Sequence, residues 1–380
     1  MKYDRVTLET VMTRIHDGPL AFDTETDGKY GEIRLGQFYQ RGWEHVLLVD
    51  EPNPTVLNLW LAKLDNTIIM QNAGYDVTTI QRRSNLPYIP NEFDDTLLMA
   101  RLCWPALSSY SLDDLFLQLY GTCPYTEKGL NKKDLQKSAW KMGKPLTPEQ
   151  YMYAATDVWH LLDLYDAVIP AKEDFCYQLD KLALRMAWDW QRNGMLVDQD
   201  RVAQKLAANI KRIDEIALPI NANSYKQVRP YIDSDQSDGL GLTTLKLKGN
   251  EKAAAVLETR KLLKENTFLR KYITDDGRIY GSFGPYARSG RFTCADDNLQ
   301  QLPRSTKDCF GTDRYTLYSD FSQLELRSIA AITGDRRLCQ TYYEGGDVHN
   351  LVSDMCKMPR QNAKTINFNA LYGGGAGMMH

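Results

Sequence analysis

The sequence has no run of eighteen apolar residues, so nothing in it reads as a transmembrane helix. Its first residues, MKYDRVTLETVM, hold no apolar signal core, which argues against secretion. A Cys-x-x-Cys pair is absent as well. The seven cysteines, at 103, 123, 176, 294, 309, 339 and 356, are scattered. They read as reduced thiols of a cytoplasmic protein, not as a disulfide framework or a zinc site. Internal repeats and compositional bias are also missing. Hydrophobic residues make up 43% and charged residues 25%, a globular balance that argues against disordered, collagen-like and coiled-coil classes. With 380 residues the chain has room for two or three domains.

A large net charge is lacking too, since the total is −3. Its distribution is less even. Residues 1–170 carry 16 basic and 23 acidic residues, net −7, and residues 171–200 carry 4 and 6. Residues 201–290 carry 16 and 10, net +6, and residues 291–380 carry 10 of each. A basic middle beside an acidic N-terminal block is compatible with a polyanion held in the middle. A solvated, lysine-rich helix face is the plainer account of the same charges.

Short apolar runs separated by turn residues predict strands at 20–25, 32–38, 45–49 and 67–70. Helical spacing follows at 97–102, 112–119 and 148–164. This mixture predicts an α/β domain that closes near residue 170, where Ile169-Pro170 meets the charged Lys172-Glu173-Asp174. Residues 175–218 read as long helices broken at Asn193-Gly194. The polar, Gly-rich 233–250 reads as a loop, and 251–272 as a helix. A strand at 315–319 leads into Asp320, and a helix from Pro359 stops at Gly373-Gly374-Gly375.

Asp23 and Glu25 stand two apart at the end of an apolar run. A strand sends both side chains to one face, where their repulsion is relieved by a cation with oxygen ligands such as Mg²⁺. Asp76 closes Gln71-Asn72-Ala73-Gly74-Tyr75-Asp76, after another apolar strand. Tyr153 and Asp157 are four apart, on one helix face. Singly, each carboxylate reads as a solvated group or a helix cap. In order, however, Phe-Asp-Thr-Glu-Thr, Asn-Ala-x-Tyr-Asp and Tyr-x-x-x-Asp resemble the DEDD superfamily of 3′→5′ exonucleases, in the variant with tyrosine in its last motif. Asp94-Asp95-Thr96 and Tyr110-Ser111-Leu112, each before a helix, resemble that family's connecting segments. The resemblance covers about residues 15–170 and implies a ribonuclease H-like α/β domain. It implies that Asp23, Glu25, Asp76 and Asp157 hold two metal ions, Mg²⁺ or in substitution Mn²⁺. Tyr153 would then orient the attacking water, and Asn72 would touch a single-stranded 3′ end.

A second set lies further on. Ser289-Gly290-Arg291-Phe292 precedes Asn298-Leu299-Gln300-Gln301-Leu302-Pro303, then Ser319-Asp320-Phe321-Ser322-Gln323-Leu324-Glu325, then Gly346-Asp347-Val348-His349. Arg360, Lys364, Phe368 and Tyr372 advance four at a time, so on a helix they share a face about 18 Å long. Two cations followed by two rings suit a triphosphate at one end and a base pair at the other. Together these motifs resemble the DNA polymerase I family (family A), and Trp188–Asp198 resembles the entry to its polymerase domain. Asn223-Ser224 with Gln227 resembles the segment entering its thumb. The resemblance implies that Asp320 is a catalytic metal ligand and Glu325 the steric gate against ribonucleotides. His349, Arg360 and Lys364 would contact the incoming deoxynucleoside triphosphate. Phe368 and Tyr372 would bracket sugar and base, Arg291 would read the minor groove of the primer–template, and Gln323 would join the substrate-binding set.

The resemblance thus implies an α/β exonuclease domain at 1–170, followed by an α+β partial polymerase domain at 171–380. The latter holds a short thumb at about 200–275, the start of a palm at about 276–335 and the start of fingers at about 336–380. Two-metal nucleotidyl transfer needs a second palm carboxylate, which the family takes from a His-Asp turn. The His-Asp dipeptide in this sequence is His16-Asp17, ahead of the exonuclease motifs. The expectation is therefore a proofreading polymerase part, cytoplasmic in a bacterial or phage-infected cell, that polymerises with a second polypeptide. The alternatives are a free-standing exonuclease with a polymerase remnant, and a DNA-binding regulator with vestigial sites.

Overall fold

Four of the apolar runs become neighbouring strands because each has two faces to bury. In the computed structural model, which describes residues 1–87, 90–232, 250–311, 317 and 319–375, they lie in one six-stranded sheet. The strands are β1 (Tyr3–Arg5), β2 (Leu20–Thr26), β3 (Ile33–Tyr39), β4 (Val46–Asp50), β5 (Ile68–Met70) and β6 (Phe93–Asp95), in the order β1-β4-β3-β2-β5-β6. β2, β3 and β4 pair antiparallel, whereas β1, β5 and β6 join in parallel. Around the sheet lie α1 (Leu8–Arg14), α2 (Pro54–Leu61), α3 (Gly74–Ser84), α4 (Thr96–Cys103), α5 (Leu112–Tyr120), α6 (Pro124–Glu127), α7 (Lys132–Lys137), α8 (Pro148–Trp159) and α9 (Leu161–Val168).

The two faces of the sheet are told apart by their rings. Phe38 touches Phe22 at 5.2 Å and Trp60 of α2 at 5.8 Å on one face. Tyr39 meets Trp159 of α8 at 4.6 Å on the other. Coverage on both sides explains why β3 is buried at every position. Asp95 caps α4, Ser111 caps α5, and Thr147 with Gln150 closes a capping box on α8. The single helix expected over 148–164 is two, joined at His160, whose ring is held by the Tyr120 hydroxyl (3.1 Å) and Lys128 Nζ (3.4 Å).

The chain continues through α10 (Phe175–Asn193), β7 (Met195–Leu196), α11 (Gln199–Ile216), α12 (Tyr225–Tyr231), α13 (Glu251–Lys271), β8 (Arg278–Ile279), β9 (Gly281–Gly284) and β10 (Thr293–Asp296). The expected boundary near 170 is a 3-10 turn, Ile169–Ala171, after which packing continues. Tyr177, Leu184 and Trp188 of α10 belong to the same apolar core as the sheet. The break at Asn193-Gly194 is real. Gly194 has φ +62°, and a Cβ there would lie 2.6 Å from the Tyr280 ring. α11 and α13 pair through Asn209–Asn266 (2.9 Å) and Arg212–Glu258 (2.8 Å). Apart from Asn250, which caps α13, the loop expected at 233–250 lies outside the described residues.

Met1–Asp313 form one compact unit and Arg314–His380 a second. The second contains α14 (Leu324–Thr333), α15 (Arg336–Tyr343), α16 (Val348–Cys356) and α17 (Arg360–Leu371). Most of the strand expected at 315–319 lies outside the described residues. Among the described residues no helix is long and apolar enough to cross a membrane.

Asp94 ties α10 to the sheet. Its fully buried carboxylate accepts from the Tyr165 and Tyr177 hydroxyls, both at 2.8 Å, and pairs with Lys172 (3.2 Å) and Lys181 (3.3 Å). Asp94→Ala leaves two hydroxyls and a buried ammonium without their common acceptor. It should lower unfolding free energy by about 3 kcal/mol. Urea unfolding of the variant measures this, and a loss of less than about 1 kcal/mol would show that α10 is held by its apolar contacts alone.

Candidate active sites

Alternation along β2 turns Asp23 and Glu25 toward the face covered by α8, and α8 delivers Asp157 to the same place. One carboxylate oxygen from each of these three lies within 4.8 Å of the other two. Asp76 does not follow its strand directly but sits in the first turn of α3. It is buried and accepts a 2.6 Å hydrogen bond from Thr24 Oγ1, while its charge still acts on Asp23 and Glu25. The structure therefore gathers three of the four expected carboxylates into one cluster and sets the fourth alongside.

The electrostatics follow from crowding. Burial, then repulsion from Asp76, Asp157 and Glu25, pushes Asp23 well above the usual carboxylate range. Burial and repulsion from Asp157 and Asp76 do the same to Glu25. Burial pushes Asp76 up to about 7 against the hydrogen bond from Thr24. It pushes Asp157 up to about 6 against the charge of Lys132 and hydrogen bonds from Tyr125 and Tyr153. Hard oxygen donors that repel one another in a part-buried site fit a divalent cation, whose charge would reverse each of these shifts.

Two supporting residues carry no signal in the sequence. Tyr125 is buried on α6 and donates its hydroxyl to Asp157. Lys132 on α7 lies 4.8 Å from the Tyr125 ring and pairs with Asp113 at 2.9 Å. Tyr153 is buried between Tyr125 (5.7 Å) and Trp140 (6.1 Å), one turn before Asp157. Asn72 has φ +61°, a left-handed conformation that asparagine tolerates. Its backbone N–H and that of Ala73 donate to Asp95, both at 3.0 Å, so the capping residue of α4 also fixes the start of α3. Burial pushes Asp95 up to about 6.

In the unit Arg314–His380 the expected helix face forms on α17. Phe368 and Tyr372 stack at 6.4 Å with 17° between their planes, and Lys364 Nζ is 5.9 Å from the Phe368 ring. Arg360 is engaged by Asp347 at 2.6 Å. His349 is buried, accepts from Asn367 Nδ2 on Nδ1 at 2.9 Å and lies 5.7 Å from Phe368. Burial lowers its pKa, Arg360 and Lys364 lower it further, and Asp347 opposes them. The Tyr372 hydroxyl donates to Glu325 at 2.8 Å, and Gln323 accepts from the Tyr342 hydroxyl at 3.1 Å. Asp320 is exposed ahead of α14. Arg291 lies on the Met1–Asp313 unit, exposed before β10. Asp347 and Asn367 are the partners that spacing alone does not reveal.

The sequence model for DNA polymerase family A matches residues 198–380, and that for 3′-5′ exonuclease matches residues 3–170. The chain belongs to the family A DNA polymerases. It is similar to the DNA polymerase of Mycobacterium phage L5, 24% identical over 96% of this chain and 70% of the relative. It is also similar to DNA polymerase I of Aquifex aeolicus, 27% identical over 98% of this chain and 72% of the relative. Among solved structures it resembles the POL domain of Pol1 from M. smegmatis in complex with DNA primer-template and dNTP. The TM-score is 0.69 at 19% identity, over 93% of this chain and 67% of that one, a likeness of fold. As a family A member it is an enzyme with an exonuclease domain ahead of a polymerase domain, and both kinds of domain are generally dependent on divalent metal.

An acid whose pKa folding raises binds more protons folded than unfolded, so its contribution to stability disappears as pH climbs through the folded value. Asp23, Glu25 and Asp76 all have this sign, and the folded value of about 7 for Asp76 sets its loss near neutrality. His160, lowered by burial to about 4, acts oppositely, but only below its unfolded value of about 6.5. In chelator, the melting temperature should therefore fall between about pH 6.5 and 8, and an Asp23→Asn, Asp76→Asn double variant should flatten that slope. Differential scanning calorimetry checks this, and an equal slope in both proteins would remove these carboxylates as its cause.

Proposed function

We propose that this chain trims DNA from single-stranded 3′ ends and carries the nucleotide-binding part of a polymerase centre. One observation carries the first half of this reading: carboxylate oxygens of Asp23, Glu25 and Asp157 lie within 4.8 Å of one another, in a domain of the 3′-5′ exonuclease family. Two Mg²⁺ ions, or Mn²⁺ in their place, would stabilise charge on the attacking and leaving oxygens of an in-line displacement at phosphorus. Asp23, Glu25, Asp76 and Asp157 hold them. Tyr153 orients the water, its ring fixed by Tyr125 and Trp140. Asn72, clamped by Asp95, meets the end of the strand.

We assign residues 1–170 to the exonuclease and 171–380 to the polymerase part, with thumb, palm and fingers segments at about 200–275, 276–335 and 336–380. A primer–template and deoxynucleoside triphosphates are its partners in this reading. Asp320 ligates metal, while Lys364, Arg360 and His349 face the triphosphate. Arg360 then exchanges Asp347 for phosphate oxygens, one anionic partner for another. Glu325, held by Tyr372, crowds the sugar edge. Phe368 and Tyr372 take sugar and base, Gln323 supports the site, and Arg291 reads the minor groove. The second palm carboxylate comes from polypeptide outside residues 1–380, continuous with them or separate. The cytoplasm of a bacterial or phage-infected cell supplies DNA and triphosphates.

Purified protein with Mg²⁺ or Mn²⁺ should digest single-stranded DNA from its 3′ end. Asp23→Ala with Glu25→Ala should abolish digestion with DNA binding retained, and Tyr153→Phe should slow it less. Digestion by the double variant at the wild-type rate would overturn the assignment.

Primer extension tests the second half. Residues 1–380 alone should leave a primer unextended, and supplying the missing palm strands should restore extension that depends on Asp320 and Lys364. Glu325→Ala should then admit ribonucleotides more readily. Robust extension by residues 1–380 alone would contradict the need for a second carboxylate. Failure with every complementing polypeptide would favour a nuclease that uses its polymerase part to grip DNA.

A further inference from the structure

β3 carries an amide where its neighbours on the same face are apolar. Gln37 stands between Leu35 and Tyr39, is 0% exposed, and neither its Oε1 nor its Nε2 has a hydrogen-bond partner among the described residues. It is the one described side chain with two buried polar atoms left in this way. Buried amides are ordinarily matched, because an unmatched one has given up its water for nothing.

The strand register says where the amide points. Gln37 is the direct partner of Asp23 on β2 and of Leu48 on β4. Opposed residues of an antiparallel pair project to one face with Cβ atoms about 5 Å apart. Tyr39, two residues along, meets Trp159, so that face is the one under α8 on which Asp23, Glu25 and Asp157 gather. The amide therefore lies beside Asp23 within the span of its own side chain. Its chemistry suits the position. A lysine there would compete with a cation for the carboxylate, and a glutamate would add to the repulsion, whereas an amide offers a donor and no charge. A carboxylate that binds a cation through one oxygen keeps lone pairs on the other, and a buried oxygen needs a donor.

We propose that Gln37 is a positioning residue of the exonuclease centre, whose Nε2 donates to the Asp23 carboxylate when a divalent cation occupies the cluster and so fixes the orientation in which Asp23 ligates. This rests on the exonuclease reading of the cluster.

Gln37→Met keeps the length and removes both polar atoms, and Gln37→Leu serves if the methionine variant does not fold. The whole 380-residue chain is titrated with Mn²⁺ alone, with free ion followed by electron paramagnetic resonance, and melting temperatures are taken with chelator and with Mn²⁺. The variant should bind Mn²⁺ about tenfold more weakly. Its Mn²⁺-induced rise in melting temperature should shrink, while in chelator it should melt at or above the wild-type temperature. Digestion of single-stranded DNA should recover as Mn²⁺ is raised. Equal Mn²⁺ affinity in variant and wild type overturns the proposal, whatever happens to the melting temperature, since a purely structural glutamine would move only the latter. The underlying reading fails separately, and the proposal with it, if the wild type binds no Mn²⁺ or if Asp157→Asn binds it undiminished.

Discussion

Repulsion among carboxylates that the fold forces together is the constraint around which the N-terminal unit is built. Asp23 and Glu25 are locked to one face by strand alternation, Asp157 is lowered onto them by α8, and Asp76 approaches from the start of α3. An unfolded chain would keep these charges apart and solvated. They are held together because the surrounding core is large and apolar on both faces, with Phe22, Phe38 and Trp60 on one side and Tyr39 with Trp159 on the other. Thr24, Tyr125 and the charge of Lys132 offset part of the repulsion. The remainder suits the site to a divalent cation, in keeping with the general clustering of perturbed acids at functional centres.

The neighbouring carboxylates Asp94 and Asp95 show how that cluster is supported from behind. Asp95 takes the backbone N–H groups of Asn72 and Ala73, so the helix that carries Asp76 starts at a fixed point. Asp94 collects Tyr165, Tyr177, Lys172 and Lys181, and through them fastens α9 and α10 to the same strand. The Tyr177 hydroxyl bridges the two, donating to the Asp94 carboxylate and accepting from the Asp95 N–H at 3.1 Å. Position along β6 thus couples the placement of Asp76 to the docking of the helix that leaves the exonuclease segment.

The second unit holds its cations and rings in place through pairings between its own helices. Asp347 occupies Arg360 and also caps α16, whose His349 is then fixed by Asn367 from α17. The rings of His349, Phe368 and Tyr372 follow one another along one side of the helix, and Glu325 ties the last of them to α14. Arg360, His349 and Tyr372 each have a polar side-chain partner within the unit, and Lys364 lies against the Phe368 ring.

The sequence alone determined the periodic parts. Strand runs at 20–25, 32–38, 45–49 and 67–70, the break at Gly194 and the shared face of Arg360, Lys364, Phe368 and Tyr372 were legible because each depends on residues a few positions apart. The ordered carboxylate motifs were legible as a family likeness. The joint at His160 was not, nor the place of Asp76 within a helix, because local spacing does not distinguish one helix from two packed end to end. Tyr125, Lys132, Asp347, Asn367 and the facing of Gln37 onto Asp23 were beyond the sequence for a single reason. Their partners lie between about 7 and 32 residues away, and only strand register and helix packing decide which distant side chains share a face.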